Sequence, residues 1–440
     1  AGMIERHARV HSQRYPLTAE LHARPFAPMQ APGRAVMVAF MPEGSAAERD
    51  QDGDLAHLKA LIDRHGGAHP APGANHHSAD LGRFRLKWER HTEFVSYSLY
   101  EEGPTDRLFD DALARQLPGA WLEEAPGALF AAVQVELVRA GDQDEALRLI
   151  DGPLRRHMVG ESMACSQVLD AQAIALGDFR IHESGFTRFA LVVHADVGPQ
   201  RQGRLTQRLL EIENYRGLAM MALPLARETS RRITAIDRQL GELIRQVASE
   251  SEQPAEAEVL QKLTALSAEI EALTAASAFR FGASQAYEAI VNQRIEMLRE
   301  TRLSGRQLFR EFMLRRFDPA MRTCRASSGR LHDLATRTAR TADLLRTRVN
   351  VAVEAQNQEL LQSMNRRAEL QLRLQETVEG LSVVAISYYA VGLAGILLTP
   401  LAARAGWSTA SVTALVALPI IAAVWWFVRR IRARVSRRDR

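Results

Sequence analysis

The chain has 440 residues, of which 46% are hydrophobic and 25% charged, enough length for two or three domains and a composition that excludes a mostly disordered protein. Lysine and arginine number 56 against 52 aspartates and glutamates, a net charge of +4, too balanced for a surface devoted to nucleic acid. A mean hydropathy of −0.18 excludes a many-pass transporter, and two distant cysteines, Cys165 and Cys324, form neither a disulfide framework nor a zinc motif.

Arg6 to Arg14 is polar and basic, with no charged-then-apolar leader, so the bulk of the chain is expected in the cytoplasm. Ala35–Phe40 reads as a buried strand. Asp54–Arg64 reads as a helix with Leu55, Leu58, Leu61 and Ile62 on one face. Arg83–Tyr100 alternates like paired strands, with Phe84, Leu86 and Trp88 on one face and Arg85, Lys87 and Glu89 on the other. Asp106–Leu117 has a helical pattern. Ala128–Val138, Ser166–Ala175 and Arg188–His194 complete a set of strands. Strands mixed with helices over 1–197 predict one cytoplasmic α/β domain in an α+β protein.

At Gly198 the character changes, and Pro199 to Glu379 is rich in strong helix formers. Region 198–330 is expected to be helical, with breaks at Pro254, at Asp318-Pro319 and at Ser327-Ser328-Gly329. No proline occurs between Leu331 and Leu398. As one helix this stretch would run about 100 Å at about 1.5 Å per residue, a length that needs partners along it. Residues 331–380 are therefore expected to form a coiled-coil-like stalk. A seam at heptad spacing runs through Asn350, Val353, Asn357, Leu360, Met364, Arg367, Gln371, Leu374, Val378 and Leu381. Its amides would either fix register and subunit number or line a wet axial cavity. The spacing continues through Ala385, Tyr388, Gly392 and Gly395, where small residues permit close helix approach in a bilayer.

Gly380–Ala403 and Ala405–Val428 carry no charge, and only Arg404 interrupts them. Each is long enough to cross a hydrocarbon core of about 30 Å. Two membrane helices are expected, 381–403 and 409–428, joined by an external turn at 404–408 near Pro400 and Gly406. Trp407 at one edge and Trp425, Trp426 and Phe427 at the other suit interfacial belts. The basic tail 429–440, with Arg366, Arg367 and Arg373 before the first span, predicts cytoplasmic ends in a bacterial inner membrane. Tyr388, Tyr389, Ser382 and Ser387 put polar groups at membrane depth. They need either a neighbouring helix or a cavity, so they predict a homo-oligomer in the lipid bilayer.

Three further constellations are candidates. His65, His69, His76 and His77 crowd a Gly/Pro-rich loop and have the chemistry of transition-metal ligands, although a solvated loop accounts for them as well. His22 and Arg24 could form an anion-binding or interface pair. Glu89, Arg90, His91 and Glu93 read as a salt-bridged strand end. No P-loop, GxSxG or HExxH motif occurs, so no enzymatic activity is expected. The sequence leaves any cofactor unidentified.

The stretches LHARPF (21–26), APGRAV (31–36), HPAPGANH (69–76), DLGRFRLKWERHTEF (80–94), RLLEIENYR (208–216) and QLRLQETVEGLSVVAISYYAVGL (371–393) resemble a bacterial family of predicted membrane-anchored proteins, the domain of unknown function 3422. The layout also resembles CorA-type divalent-cation channels, and Leu381–Leu397 reads like their first pore helix. That second resemblance implies a pentamer with the first span lining an axial pore. The Gly-Met-Asn motif of those channels is absent: Ile396-Leu397-Leu398-Thr399-Pro400 stands in its place. The turn holds Arg404 and no carboxylate, so the resemblance implies the scaffold and not magnesium transport. The expected function is an oligomeric channel or transporter of unknown solute, or else a membrane-anchored scaffold or sensor.

Overall fold

A computed structural model describes residues 8–15, 17–18, 26–42, 44, 49–105, 107–248, 256–404 and 408–435. The chain divides into two compact units, Ala1–Thr341 and Ala342–Arg440. Among the described residues, the first unit is built on a nine-stranded mixed sheet. Its strands are β1 (Gly33–Met41), β2 (His76–Asp80), β3 (Arg85–Arg90), β4 (Val95–Glu102), β5 (Ala128–Arg139), β6 (Ala164–Val168), β7 (Ala173–Ile181), β8 (Thr187–Val193) and β9 (Thr301–Arg302). They lie in the order β2-β3-β4-β1-β5-β8-β7-β6-β9. Neighbours are antiparallel except β5 and β8, which run parallel. The helices are α1 (Gln51–His65), α2 (Gly119–Glu123), α3 (Gln143–Leu149), α4 (Pro199–Met220), α5 (Ala222–Ala248), α6 (Glu256–Met297), α7 (Phe309–Arg316), α8 (Asp318–Arg404) and α9 (Thr409–Val435).

The sheet joins two similar halves along the β1–β5 edge. Each half runs strand, helix, then a three-strand meander: β1–α1–β2–β3–β4 and β5–α3–β6–β7–β8. All nine residues of β1 are buried, because strands flank it on both sides and layers cover both faces. Its alternation divides two cores. Val36, Val38 and Phe40 face α1 with Leu58, Leu61, Ile62, Trp88 and Trp121. Ala35 and Met37 face α4 with Leu205, Leu209 and Ile212. Each of these large aliphatic side chains contributes about 1.5–3 kcal/mol by leaving water.

The helix predicted at 54–64 is α1. Asp50 caps it by accepting from the amides of Asp52 and Gly53, and Gly66 ends it at φ 76°. Its His57 is buried, with Nε2 donating to the Trp121 carbonyl at 2.8 Å and Nδ1 accepting from the Tyr97 hydroxyl at 2.8 Å. Burial lowers its pKa, so this histidine is a neutral tie inside an aromatic cluster.

Gly198 and Pro199 start α4, as the composition change predicts. Gly203 in its second turn lets the segment before β1 lie directly on the helix. A Cβ there would sit 2.0 Å from the Ala27 carbonyl oxygen. Gly203→Ala is therefore expected to destabilise the protein by about 1–3 kcal/mol through overpacking against backbone. Chemical denaturation measures this, and a change below about 0.5 kcal/mol, the size of an ordinary surface substitution, would show that the segment yields.

Several expectations are corrected. The helix expected over Asp106–Leu117 does not form in its described residues, 107–117, where only a 3-10 turn, Ala114–Gln116, occurs. Asp110 accepts from the Ala112 amide and pairs with Arg34 at 2.5 Å, while Phe109 adopts φ 56° and donates its amide to buried Glu136 at 2.9 Å. These long-range anchors outweigh helical periodicity. Ser166–Ala175 is not one strand but the hairpin of β6 and β7, turned by Leu169, Asp170 and Ala171 at positive φ. Ser327-Ser328-Gly329 breaks nothing, because Ser327 is buried inside α8 and donates to the Ala226 carbonyl at 3.1 Å. The helical region also contains a strand, β9, which pairs with β6. Lys87 is buried and lies 3.2 Å from Glu89, because segment 26–28 covers the face predicted to be polar.

Candidate functional site

Helix α8 changes its surroundings along its length. Met321, Cys324, Ser327, Leu331, Leu334 and Thr338 are buried at spacings of three and four, the face of a helix packed in a bundle. Ser327 meets Ser230 of α5 at 2.7 Å, Arg337 pairs with Asp237 of α5 at 2.7 Å, and Arg325 pairs with Glu288 of α6. Beyond Leu345 no residue of α8 is buried until Ser387.

The predicted seam lies in that bare stretch. Asn350, Asn357, Arg367 and Gln371 are exposed. Val353, Leu360, Met364, Leu374 and Val378 each expose more than half their surface. Leu361 and Leu372 extend the apolar stripe on one side and Leu370 on the other, all three exposed. Local hydrogen bonds alone cannot favour so long a run of helix with an uncovered apolar stripe.

Among the described residues, two helices are long and apolar enough to cross a membrane: the end of α8, and α9 over Ala410–Arg430. α8 runs through Pro400 to Arg404 rather than turning at the proline, and Gly406 and Trp407 lie outside the described residues. The two helices approach closely at Gly395, where a Cβ would lie 2.9 Å from the Thr413 hydroxyl. On α8 the less exposed positions are Val383, Ser387, Ala390, Val391, Ala394, Gly395 and Leu398. Leu381, Ala385, Tyr388 and Gly392 continue the seam and remain exposed. At about 100° per residue, the seam lies about a third of a turn from the face that meets α9. Of the predicted positions only Gly395 borders both faces. Tyr389 lies outside the seam, its ring 5.9 Å from that of Tyr388. At the basic end of α9, Arg429 covers the Trp425 ring at 4.9 Å and Arg430 the Trp426 ring at 4.8 Å, the arrangement that lets arginine extend from an apolar helix toward water.

The four loop histidines have separate partners. His65 donates to the Gln116 carbonyl at 3.3 Å, His69 meets Asp63 at 2.5 Å, His76 meets Asn75 at 2.7 Å and His77 donates to the Ala68 carbonyl at 2.9 Å. Among the described residues no group of three or more histidine, cysteine or acidic side chains is arranged to hold a metal. His22 and Arg24 lie outside the described residues.

Sequence reading missed the partners of the β3–β4 turn. Glu93 is buried there and accepts from Arg280 at 2.6 Å and from the Tyr287 hydroxyl at 2.7 Å, both on α6. Burial and the adjacent Glu93 carboxylate raise the pKa of Tyr287, keeping it a donor. Glu93 is therefore a tie between sheet and helix, and not a salt bridge within the strand end. The partners are almost two hundred residues away in sequence, so no local pattern could have revealed them.

A family model described as "Protein of unknown function (DUF3422)" matches residues 9–435. No curated protein and no solved structure matches the chain.

Proposed function

The chain belongs to the DUF3422 family of proteins of unknown function, and from that premise, which brings no activity with it, we propose a homo-oligomeric inner-membrane protein whose copies meet along the α8 seam. One observation carries the proposal. The seam is uncovered from Asn350 to Gly392 and is turned away from the only described helix that packs beside its apolar end. A stripe widened on both sides by Leu361, Leu370 and Leu372 suits contact with two neighbours better than with one. Closed rings satisfy such a contact, and a pentamer of the CorA-like layout is the arrangement proposed.

In this reading α8 and α9 form a two-span hairpin with both ends cytoplasmic, following the basic end after Trp426. Asn350, Asn357, Met364, Gln371, Val378, Ala385, Tyr388 and Gly392 face the axis and conduct a solute. The wall they form holds amides and hydroxyls but no carboxylate, so it would select by size and hydrogen bonding and not by a ring of negative charge. The absence of a carboxylate at the turn favours a second reading: a membrane-anchored scaffold or sensor whose hairpin only tethers the sheet domain.

Light scattering of the detergent-solubilised protein is expected to give a discrete oligomer, and a monomer would overturn the association. Liposome flux with magnesium, zinc, potassium and chloride separates the two readings. Under the channel reading at least one ion moves, and Asn357→Leu changes its rate by roughly tenfold, the effect of about 1.4 kcal/mol on a barrier. No flux for any ion from a well-formed oligomer leaves the anchor.

A further inference from the structure

A cavity of about 180 Å³ lies between the sheet and α4, within the first unit. At about 30 Å³ each it would hold about six waters, enough for one small organic molecule. β1, β3 and β4 supply one wall, α4 another, and Arg294 of α6 closes a side. Phe26, 38% exposed, is the only exposed residue among those lining it. Three of the stretches that carry the family resemblance converge here: 21–26 through Phe26, 80–94 through Glu89 and His91, and 208–216 through Glu211 and Asn214.

The polar groups of the wall are unevenly matched. Gln207 donates its amide nitrogen to Glu211 at 2.6 Å, which fixes its orientation and leaves Oε1 as a buried acceptor without a partner. The Asn214 Oδ1, on the next turns of α4, is likewise buried without a partner. Both side chains are more than nine-tenths buried, where an unmatched acceptor costs about 1–3 kcal/mol. Two carboxylates line the cavity, Glu89 and Glu211, against one guanidinium, Arg294, which is bound to Glu211. Lys87 pairs with Glu89 at 3.2 Å but does not line the space. The charges are matched in pairs, Glu89 with Lys87 and Glu211 with Arg294, and the Tyr100 hydroxyl of the wall is also buried without a partner, so what the wall leaves unmet is chiefly the two amide oxygens, which only a donor can satisfy. The apolar part of the wall includes the aromatic rings of Phe94 and Tyr215, whose faces attract cations.

We propose that this cavity binds a small primary ammonium carried on an apolar or aromatic body, its N–H groups donating to Gln207 Oε1, Asn214 Oδ1 and the Glu89 carboxylate. A neutral alcohol of the same shape offers one donor for three acceptors, and a carboxylate offers none. The site is independent of any association through α8, so the membrane proposal can fail without it.

Calorimetric titration of the full-length protein in detergent tests it, with benzylammonium as probe and benzyl alcohol and benzoate as isosteric controls. Benzylammonium is expected to bind at least roughly tenfold more tightly than benzyl alcohol, a difference of about 1.4 kcal/mol, with no binding of benzoate. Glu89→Gln is expected to lower benzylammonium affinity about tenfold while leaving benzyl alcohol unchanged, and Asn214→Leu to weaken both ligands. Equal affinity for the three probes would overturn the proposal. So would absence of benzylammonium binding at millimolar concentration by protein with an unchanged unfolding midpoint, which would identify a cavity holding water only. The wild-type comparison of three probes needs no variant and stands if Asn214→Leu does not fold.

Discussion

A chain ending after Thr341 is expected to fold and stay in the aqueous supernatant without detergent, whereas the full-length chain should pellet with membranes. The first unit ends there, and it contains the sheet, the two cores on its faces and the buried series of α8 as far as Thr338. Both apolar helices and the exposed stripe from Val351 to Val378 lie beyond it. Each apolar span of about twenty residues holds about ten Leu, Ile, Val or Phe at about 0.3–0.6 kcal/mol each and so favours the bilayer by about 3–5 kcal/mol, and removing both shifts partitioning by several orders of magnitude. Ultracentrifugation followed by circular dichroism reads the result. Aggregation of the truncated chain, or its recovery in the membrane fraction, would mean that the sheet unit depends on the rest of α8.

The contribution of Glu136 to the stability of the first unit is expected to fall as pH rises from about 4.5 to 7, and Glu136→Gln should remove this contribution. Glu136 lies on β5 and is almost wholly buried, which pushes its carboxyl up to about 7 despite the Phe109 amide and nearby Arg34. Below about 4.5 the group is protonated in both folded and unfolded chains and contributes no slope. Between the two values the unfolded chain releases its proton while the folded chain keeps it, so rising pH favours unfolding. Above 7 the loss levels off at about 3 kcal/mol, from about 1.4 kcal/mol per unit. His57 acts in the opposite sense: its depressed pKa makes falling pH through its ordinary value of 6.5 destabilising. The difference between wild type and Glu136→Gln isolates the glutamate. The variant should be the more stable by about 2–3 kcal/mol at pH 8, and a difference that does not vary with pH would disprove the assignment.

These two carboxyl and imidazole groups illustrate where the sequence was legible. The α1 stripe of Leu55, Leu58, Leu61 and Ile62 follows from its period, and the structure buries all four. Nothing near His57 in sequence indicates Tyr97 and Trp121 as its partners. The same holds for Glu136, whose neighbours Phe109 and Arg34 come from a loop and another strand. The segment 106–117 has a helical period but is held otherwise by Asp110 and Phe109. β9 has two residues and pairs with β6 about 135 positions earlier, too short to leave a periodic signal. The cavity beside α4 was also hidden: its residues occur in recognisable stretches, but their convergence needs the folded sheet.

By itself the sequence determined the change from mixed strands and helices to a mostly helical region at Gly198, the unbroken helix over 331–398 and the two apolar stretches. All three are one-dimensional properties: composition, period and the length of charge-free runs decide them without reference to distant residues. Tertiary structure alone decided which faces are covered. It placed Lys87, Glu93 and Glu136 in the interior, kept Ser327 within an unbroken helix and left the α8 seam bare while the adjacent face met α9. Burial depends on what packs against a side chain, and the elements that do so lie tens to hundreds of residues away, beyond the reach of any local pattern.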